Sequence, residues 1–184
     1  LFYGADALKD LAPAIQKRGL KSLLLVTDPG LVQIGLADSV KSTLTSSGLN
    51  IEIFDNVHPN PIEEDVTAGV EIYQSNGFDG IIALGGGSAM DVAKTIRFMA
   101  VHEAPLAQYD DALSGDQKII NPLPPLYAIP TTAGTGSEVG RSSVITLPET
   151  GKKTIFFHPD LMPDIAVLDP TLTTGLPPHI TAAT

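Results

Sequence analysis

Residues 78–91 read Phe-Asp-Gly-Ile-Ile-Ala-Leu-Gly-Gly-Gly-Ser-Ala-Met-Asp. Phe78 to Leu84 is a short apolar run of the kind that forms a strand buried on both faces. Gly85-Gly86-Gly87-Ser88 ends that run, and a helical pattern follows to about Val101. Glycines between a buried strand and a helix let backbone amides approach an anion closely, and the helix N-terminus adds about half a positive charge. Ser88 is either a helix cap or a phosphate donor. The spacing is not G-x-G-x-x-G, because Met90 takes the last position, and it is not a P-loop. Three consecutive glycines still exceed what a turn needs, which favours phosphate binding.

The same alternation extends outward from this stretch. On the N-terminal side, Leu8, Leu11 and Ile15 keep helical spacing and stop at Gly19. Lys21 to Thr27 is a continuous apolar strand. Asp28-Pro29 opens a helix whose stripe is Val32, Leu36, Val40 and Leu44. Asn50 to Asp55 alternates as a second strand. A rigid His58-Pro59-Asn60-Pro61 loop leads to a stripe of Ile62, Val66, Val70 and Tyr73, closed by Asn76-Gly77. Beyond Val101 the pattern loosens. Asp110 to Pro125 reads as a surface loop, and Leu126 to Ile129 as a short strand. Ser143–Leu147 and Thr154–Phe157 read as a β-hairpin, and Ile165–Leu168 as a last strand. Pro177-Pro178 reads as a helix start. Strand–helix alternation implies parallel strands with right-handed crossovers. The expected fold is therefore α/β: a doubly wound, mostly parallel sheet with an added hairpin, as one dinucleotide-binding domain over residues 1–184.

Composition narrows the function. The chain has 184 residues, 43% hydrophobic and 17% charged, with a formal net charge of −10. That is enough for one domain with a real core. The acidic balance argues against nucleic acid or an anionic membrane as partner. No apolar run approaches the roughly 20 residues of a membrane helix. There is no cysteine, hence no disulfide, thiolate metal site or cysteine nucleophile. No signal peptide is visible, and a cytoplasmic protein is expected. The lack of an initiator Met leads to the expectation that the chain is a piece of a longer one.

Ligands of such sheets bind at the C-terminal ends of the strands. Asp28 stands there. A carboxylate at this point can accept both hydroxyls of an adenosine ribose and repel a 2′-phosphate, but Asp-Pro is equally a good helix cap. Thr131-Thr132-Ala133-Gly134-Thr135-Gly136-Ser137-Glu138 can wrap a pyrophosphate or a ribose; on its own residues an ordinary loop capped by Ser137 is the favoured reading. His58, His102, His158 and His179 lack the spacing of a helical metal site and read as solvated loop residues. No G-x-S-x-G elbow and no acid–base carboxylate pair is present.

Five motifs occur in one order: TDPGL (27–31), PNP (59–61), GGGSAMDVAK (85–94), PTTAGTGSEV (130–139) and LPPHITAAT (176–184). Together they resemble the iron-containing, or group III, alcohol dehydrogenases over almost the whole chain. The resemblance implies NAD as cofactor, and hydride transfer between it and a small alcohol or aldehyde. It implies that Asp28 holds the adenosine ribose and that Asn60 lies near the nucleotide cleft. Gly86, Gly87, Ser88 and Asp91 would form the pyrophosphate loop. Thr131, Thr132 and Thr135 would line the cofactor, Lys153 would reach its ribose, and Leu172 would pack near adenine. It also implies a helical C-terminal domain with one Asp and three His around iron or zinc. This chain is expected to stop before that Asp, so no metal ligand and no catalytic residue is expected within it, and the chain alone should be inactive. Gly140-Arg141-Ser142 departs from common members, which leaves the substrate open: a small alcohol, a polyol or maleylacetate. A homodimer is compatible with the family. A stand-alone nucleotide-binding module is the alternative from another class.

Overall fold

The computed structural model describes residues 1–177. The helix expected at Pro177-Pro178 and most of the LPPHITAAT motif lie outside them. Among the described residues there are eight strands: β1 (Phe2–Tyr3), β2 (Ser22–Val26), β3 (Asn50–Phe54), β4 (Gly80–Gly85), β5 (Leu126–Pro130), β6 (Ser142–Leu147), β7 (Lys152–Phe157) and β8 (Ile165–Leu168). The helices are α1 (Leu11–Lys17), α2 (Pro29–Gln33), α3 (Leu36–Thr45), α4 (Glu63–Asn76) and α5 (Gly87–Met99). Six strands form one sheet in the order β1-β8-β5-β4-β2-β3, with parallel pairing at each ladder. β6 and β7 form the separate antiparallel hairpin.

The sheet is buried from both sides, and period-2 alternation shows how. Leu24, Val26, Ile81, Ala83 and Ala128 face a cluster built with Val66 and Tyr73 of α4 and Met90 and Ile96 of α5. Leu23, Leu25, Ile82, Leu84 and Ile129 face the other cluster, with Leu11 and Ile15 of α1 and Val40 and Leu44 of α3. Each such Leu or Ile contributes about 1.5–3 kcal/mol of burial, so neither helical layer can be lost separately. The chain leaves β2 for β3 at the sheet edge, then crosses back to β4 on the other side of β2. That reversal opens a crevice at the C-terminal ends of β2 and β4.

Three expectations need correction. The stripe from Val32 to Leu44 is two helices, because Gly35 takes φ 75° and breaks it between α2 and α3. Periodicity survives the break, so the sequence hides it. The segment after Asp110 is not only a surface loop. Short 3-10 turns at Leu106–Tyr109, Asp111–Leu113 and Gly115–Lys118 fold it back, and Leu106, Tyr109 and Ile119 are buried in the core. The two-residue β1 escaped notice; it adds a parallel edge against β8.

Candidate functional site: a cleft at the strand ends

A cleft of about 750 Å³ opens where the crevice was expected. Its floor is Gly86, Gly87, Ser88 and Ala89, the turn from β4 into α5. Gly85 carries φ 143°, and a Cβ there would lie 2.9 Å from the Ala89 Cβ, so this position is closed to side chains twice over. A Cβ on Gly86 would meet the Thr132 hydroxyl at 3.3 Å. The N-cap of α5 is Gly86, and no side chain caps the helix. The first N–H groups of a helix have no partner within it, and Gly87, Ser88 and Ala89 at this end line the cleft. Ser88 is therefore not the cap: its hydroxyl donates to Pro59 O at 2.8 Å, tying the β3–α4 loop to the glycine loop. What Ser88 leaves for an anion is its backbone.

Asp28 lines the same cleft from the end of β2. Its Oδ1 accepts from Leu31 N at 3.2 Å and caps α2, with Pro29 in the first turn. Its Oδ2 faces the glycine turn, 3.4 Å from where a Gly85 Cβ would be. The two roles left open by the sequence thus fall on different oxygens. Thr131 and Thr132 line the wall formed after β5, and Leu172 lines the opposite side. Thr131 N donates to Gly85 O at 3.0 Å, which sets the start of the threonine loop directly against the glycine turn.

The other expected residues stand elsewhere. Asn60 and Lys153 meet each other, Lys153 Nζ donating to Asn60 Oδ1 at 3.0 Å, one residue beyond the cleft-lining Pro59. Thr135 packs its methyl toward Gly87 without lining the cleft. Asp91 turns away from the floor: Ser137 Oγ donates to its Oδ1 at 3.0 Å and Val144 N to its Oδ2 at 3.1 Å. Burial pushes the Asp91 carboxyl up, opposed by Ser137 and the Lys94 ammonium. Ser137 does not cap its loop; Gly136 is the N-cap of the short turn there, at φ 65°.

Histidines read as solvated have definite partners. His58 lines the cleft, and its Nδ1 lies 2.6 Å from Oδ1 of the fully buried Asp65. His102 donates from Nδ1 to Phe98 O at 2.7 Å and accepts at Nε2 from Ile120 N and Asn121 N. His158 accepts from Asp160 N at 3.2 Å. His179 lies outside the described residues. The signal for His58 was its seven-residue separation from Asp65 across a proline loop, which no helical or strand period brings out. Ile34 and Leu36 also line the cleft, exposed there by the break at Gly35.

Among the described residues the cleft lining contains no Lys or Arg, and Asp28 is its one carboxylate. An anion bound here would be met by backbone amides and the helix dipole. Among the described residues no group of three or more His, Cys, Asp or Glu side chains is placed to hold a metal ion. No described helix is long and apolar enough to cross a membrane.

A switch-point cleft with a bare helix N-terminus is where doubly wound α/β proteins take their ligands, and comparison shows the family. The family profile of iron-containing alcohol dehydrogenases matches residues 1–170. The chain belongs to that family. It is 40% identical over 182 residues to a choline dehydrogenase of Bacillus subtilis, covering 99% of this chain and 45% of that one. It is 39% identical over 185 residues to a 1,3-propanediol dehydrogenase of Klebsiella pneumoniae, covering 100% and 47%. The crystal structure of a 1,3-propanediol oxidoreductase superposes with a TM-score of 0.93 at 39% identity, over 100% of this chain and 47% of that one. A sulfoacetaldehyde reductase of Bifidobacterium kashiwanohense, solved in complex with NAD+, gives 0.85 at 32% identity, over 98% and 46%. The chain thus spans a little under half the length of these relatives.

Proposed function

We propose that the cleft binds NAD and that residues 1–184 act as the dinucleotide-binding domain of a dehydrogenase interconverting a small alcohol and its aldehyde. The observation that carries this reading is the uncapped N-terminus of α5, opening among glycines into a cleft whose described lining has no Lys or Arg. These features suit a phosphate-linked ligand. Gly86 leaves a gap against Thr132 that a Cβ would narrow to 3.3 Å. The amides of Gly87, Ser88 and Ala89 would hold the diphosphate. Asp28 Oδ2 would accept from the adenosine ribose, and Leu172 would pack on the adenine side. Thr131 and Thr132 would line the other half. A bound nicotinamide ring supplies the hydride acceptor. The residues of this chain bind and orient it, and the β3–α4 loop, tied down through Ser88, screens the floor from water. The relatives' names support an alcohol or aldehyde as substrate, and the family's iron chemistry is not assigned to residues 1–177.

The test is a fluorescence titration with NADH and NADPH of the wild type and Asp28→Gly. Glycine is nearly as good an N-cap as Asp, costing only a few tenths of a kcal/mol, so the variant isolates the ribose contact. The expected result is preference for NADH in the wild type, narrowed at least about tenfold, or roughly 1.4 kcal/mol, in the variant. An unchanged ratio leaves Asp28 as a helix cap alone. A wild type that binds neither nucleotide overturns the assignment of the cleft.

A further inference from the structure

Lys94 is fully buried, in the middle of α5. An ammonium taken out of water costs several kcal/mol unless its protons are matched. Here all three find oxygens: Gly140 O at 3.0 Å, Ser142 O at 2.9 Å and Ser137 Oγ at 3.2 Å. Asp91, one turn earlier, takes the Ser137 hydroxyl proton and the Val144 N–H. Thr95 adds a hydroxyl contact to Ser143 at 2.9 Å. One face of α5 thus grips residues 137–144 at consecutive points. The same helix presents its N-terminus to the cleft.

The loop between has few other ties. Thr131 N is fixed to Gly85 O. The next described bonds that anchor the loop to the body are those of Ser137, six residues on. Between them, Thr132 and Thr135 rest on the glycine turn, near the positions of the missing Cβ atoms of Gly86 and Gly87. Where the threonines sit above the glycine floor is therefore decided by β5 at one end and by the grip of α5 at the other. Lys94 does not line the cleft, so it cannot act by touching a ligand.

We infer that Lys94, together with Asp91, is a positioning residue: through Ser137, Gly140 and Ser142 it sets the height of the threonine loop over the glycine loop. It thereby sets the affinity for the part of a dinucleotide lying beyond the phosphates. This rests on the dinucleotide reading above. Burial pushes the Lys94 ammonium down to about 8, while the Asp91 and Glu138 carboxylates oppose that shift. A merely structural lysine would be cheaper as methionine; the retained charge makes sense if the three backbone and hydroxyl oxygens must be held in one place.

The experiment compares the wild type, Lys94→Met, Lys94→Arg and Ser137→Ala in the full chain. The readouts are Kd for NADH, Kd for AMP, amide hydrogen exchange of residues 131–142 without nucleotide, and thermal stability. Lys94→Met should weaken NADH at least about tenfold while AMP, read by Asp28 and Leu172, changes less than about twofold. Exchange across residues 131–142 should rise, with the 86–90 segment unchanged. Lys94→Arg should recover part of the NADH affinity. Should Lys94→Met fail to fold, Ser137→Ala decides: it removes one contact to each of Lys94 and Asp91, and should show the same split between NADH and AMP at smaller amplitude. Equal losses of NADH and AMP, or unchanged loop exchange in a folded variant, overturn the positioning role. If the wild type binds no NADH but Lys94→Met still frees the loop, the dinucleotide reading fails and the mechanical link stands.

Discussion

The glycine loop and the threonine loop face each other across one cleft and are held by different means. Residues 85–88 are part of the backbone path from β4 to α5, both of them buried, and their shape is set by φ at Gly85 and by the lack of room for a Cβ. Residues 131–140 also turn at positive-φ glycines, Gly134 and Gly136, but a Cβ on Gly136 would meet nothing within 4 Å. They are exposed over much of their length and depend on side chains of α5 reaching across 43 to 46 residues of sequence. A loop fixed by its own backbone resists change but fails abruptly when substituted. A loop fixed by remote side chains can be loosened by degrees without disturbing the sheet.

The largest effect should follow from attacking the first kind of loop. Gly85→Val places a branched side chain at φ 143°, with its Cβ 2.9 Å from Ala89 Cβ. Backbone strain of about 1–3 kcal/mol adds to overpacking of about 1–3 kcal/mol. Urea unfolding should show a loss of about 2–6 kcal/mol, together with loss of nucleotide binding. A variant within about 1 kcal/mol of the wild type would mean that the turn relaxes and is not shape-locked.

The distinction between the loops also explains which features the sequence revealed. The strand–glycine–helix unit is local: apolar run, Gly85–Gly87 and helical stripe are contiguous, so fold class and cleft floor could be read together. Asp28 was legible for the same reason, standing where one strand ends and Pro29 starts a helix. The grip of Asp91 and Lys94 was not legible, because their spacing marks only a shared helix face and their partners follow from tertiary packing. Asp91 was expected at the pyrophosphate on the strength of its motif, and the motif does not tell a side chain that faces the cleft from one that faces away. The Gly35 break was invisible because a four-residue apolar rhythm continues through it. His102 was misread for a related reason: its three partners, Phe98, Ile120 and Asn121, come together only when the segment after α5 folds back.

The second loop should respond to pH, and the sign follows from Lys94. Its folded-state value is lowered to about 8, against 10.5 for an ordinary lysine. Between those values the unfolded chain binds a proton that the folded chain has released, so the folded state gains stability as pH rises through that window. The penalty for burying the charge is fully present below about 8 and relieved towards 10.5. Tyr73, pushed up to about 12 by burial, works the other way once ordinary tyrosines ionise near 10. The clean range is therefore from about 8 to about 10. There the stability of the wild type relative to Lys94→Met should rise, by at most about 3 kcal/mol. Over the same range the deprotonated amine keeps only two N–H donors for three oxygens, and the NADH affinity of the wild type should fall. Parallel pH trends for the two proteins, in stability and in affinity, would place the titration elsewhere.

The smallest effect tests whether the space between the loops is needed for the ligand. Gly87 opens α5, its φ is compatible with a side chain, and a Cβ there would make only an ordinary 3.8 Å contact with the Thr135 methyl. Gly87→Ala should therefore leave the fold intact and raise its stability by up to about 1 kcal/mol, because the unfolded chain loses freedom that the native turn does not require. The new methyl nevertheless stands at the cleft floor, between glycine loop and threonine loop. If amides of Gly87 and its neighbours hold a diphosphate, the methyl must keep the phosphate oxygens from their closest approach, and NADH should bind at least about threefold more weakly. AMP, carrying a single phosphate that can shift along the open cleft away from the new methyl, should lose less. Chemical denaturation and nucleotide titration on the same preparation separate the two terms. A variant that is more stable and binds NADH with wild-type affinity would show that the ligand's phosphates do not rest on this end of α5.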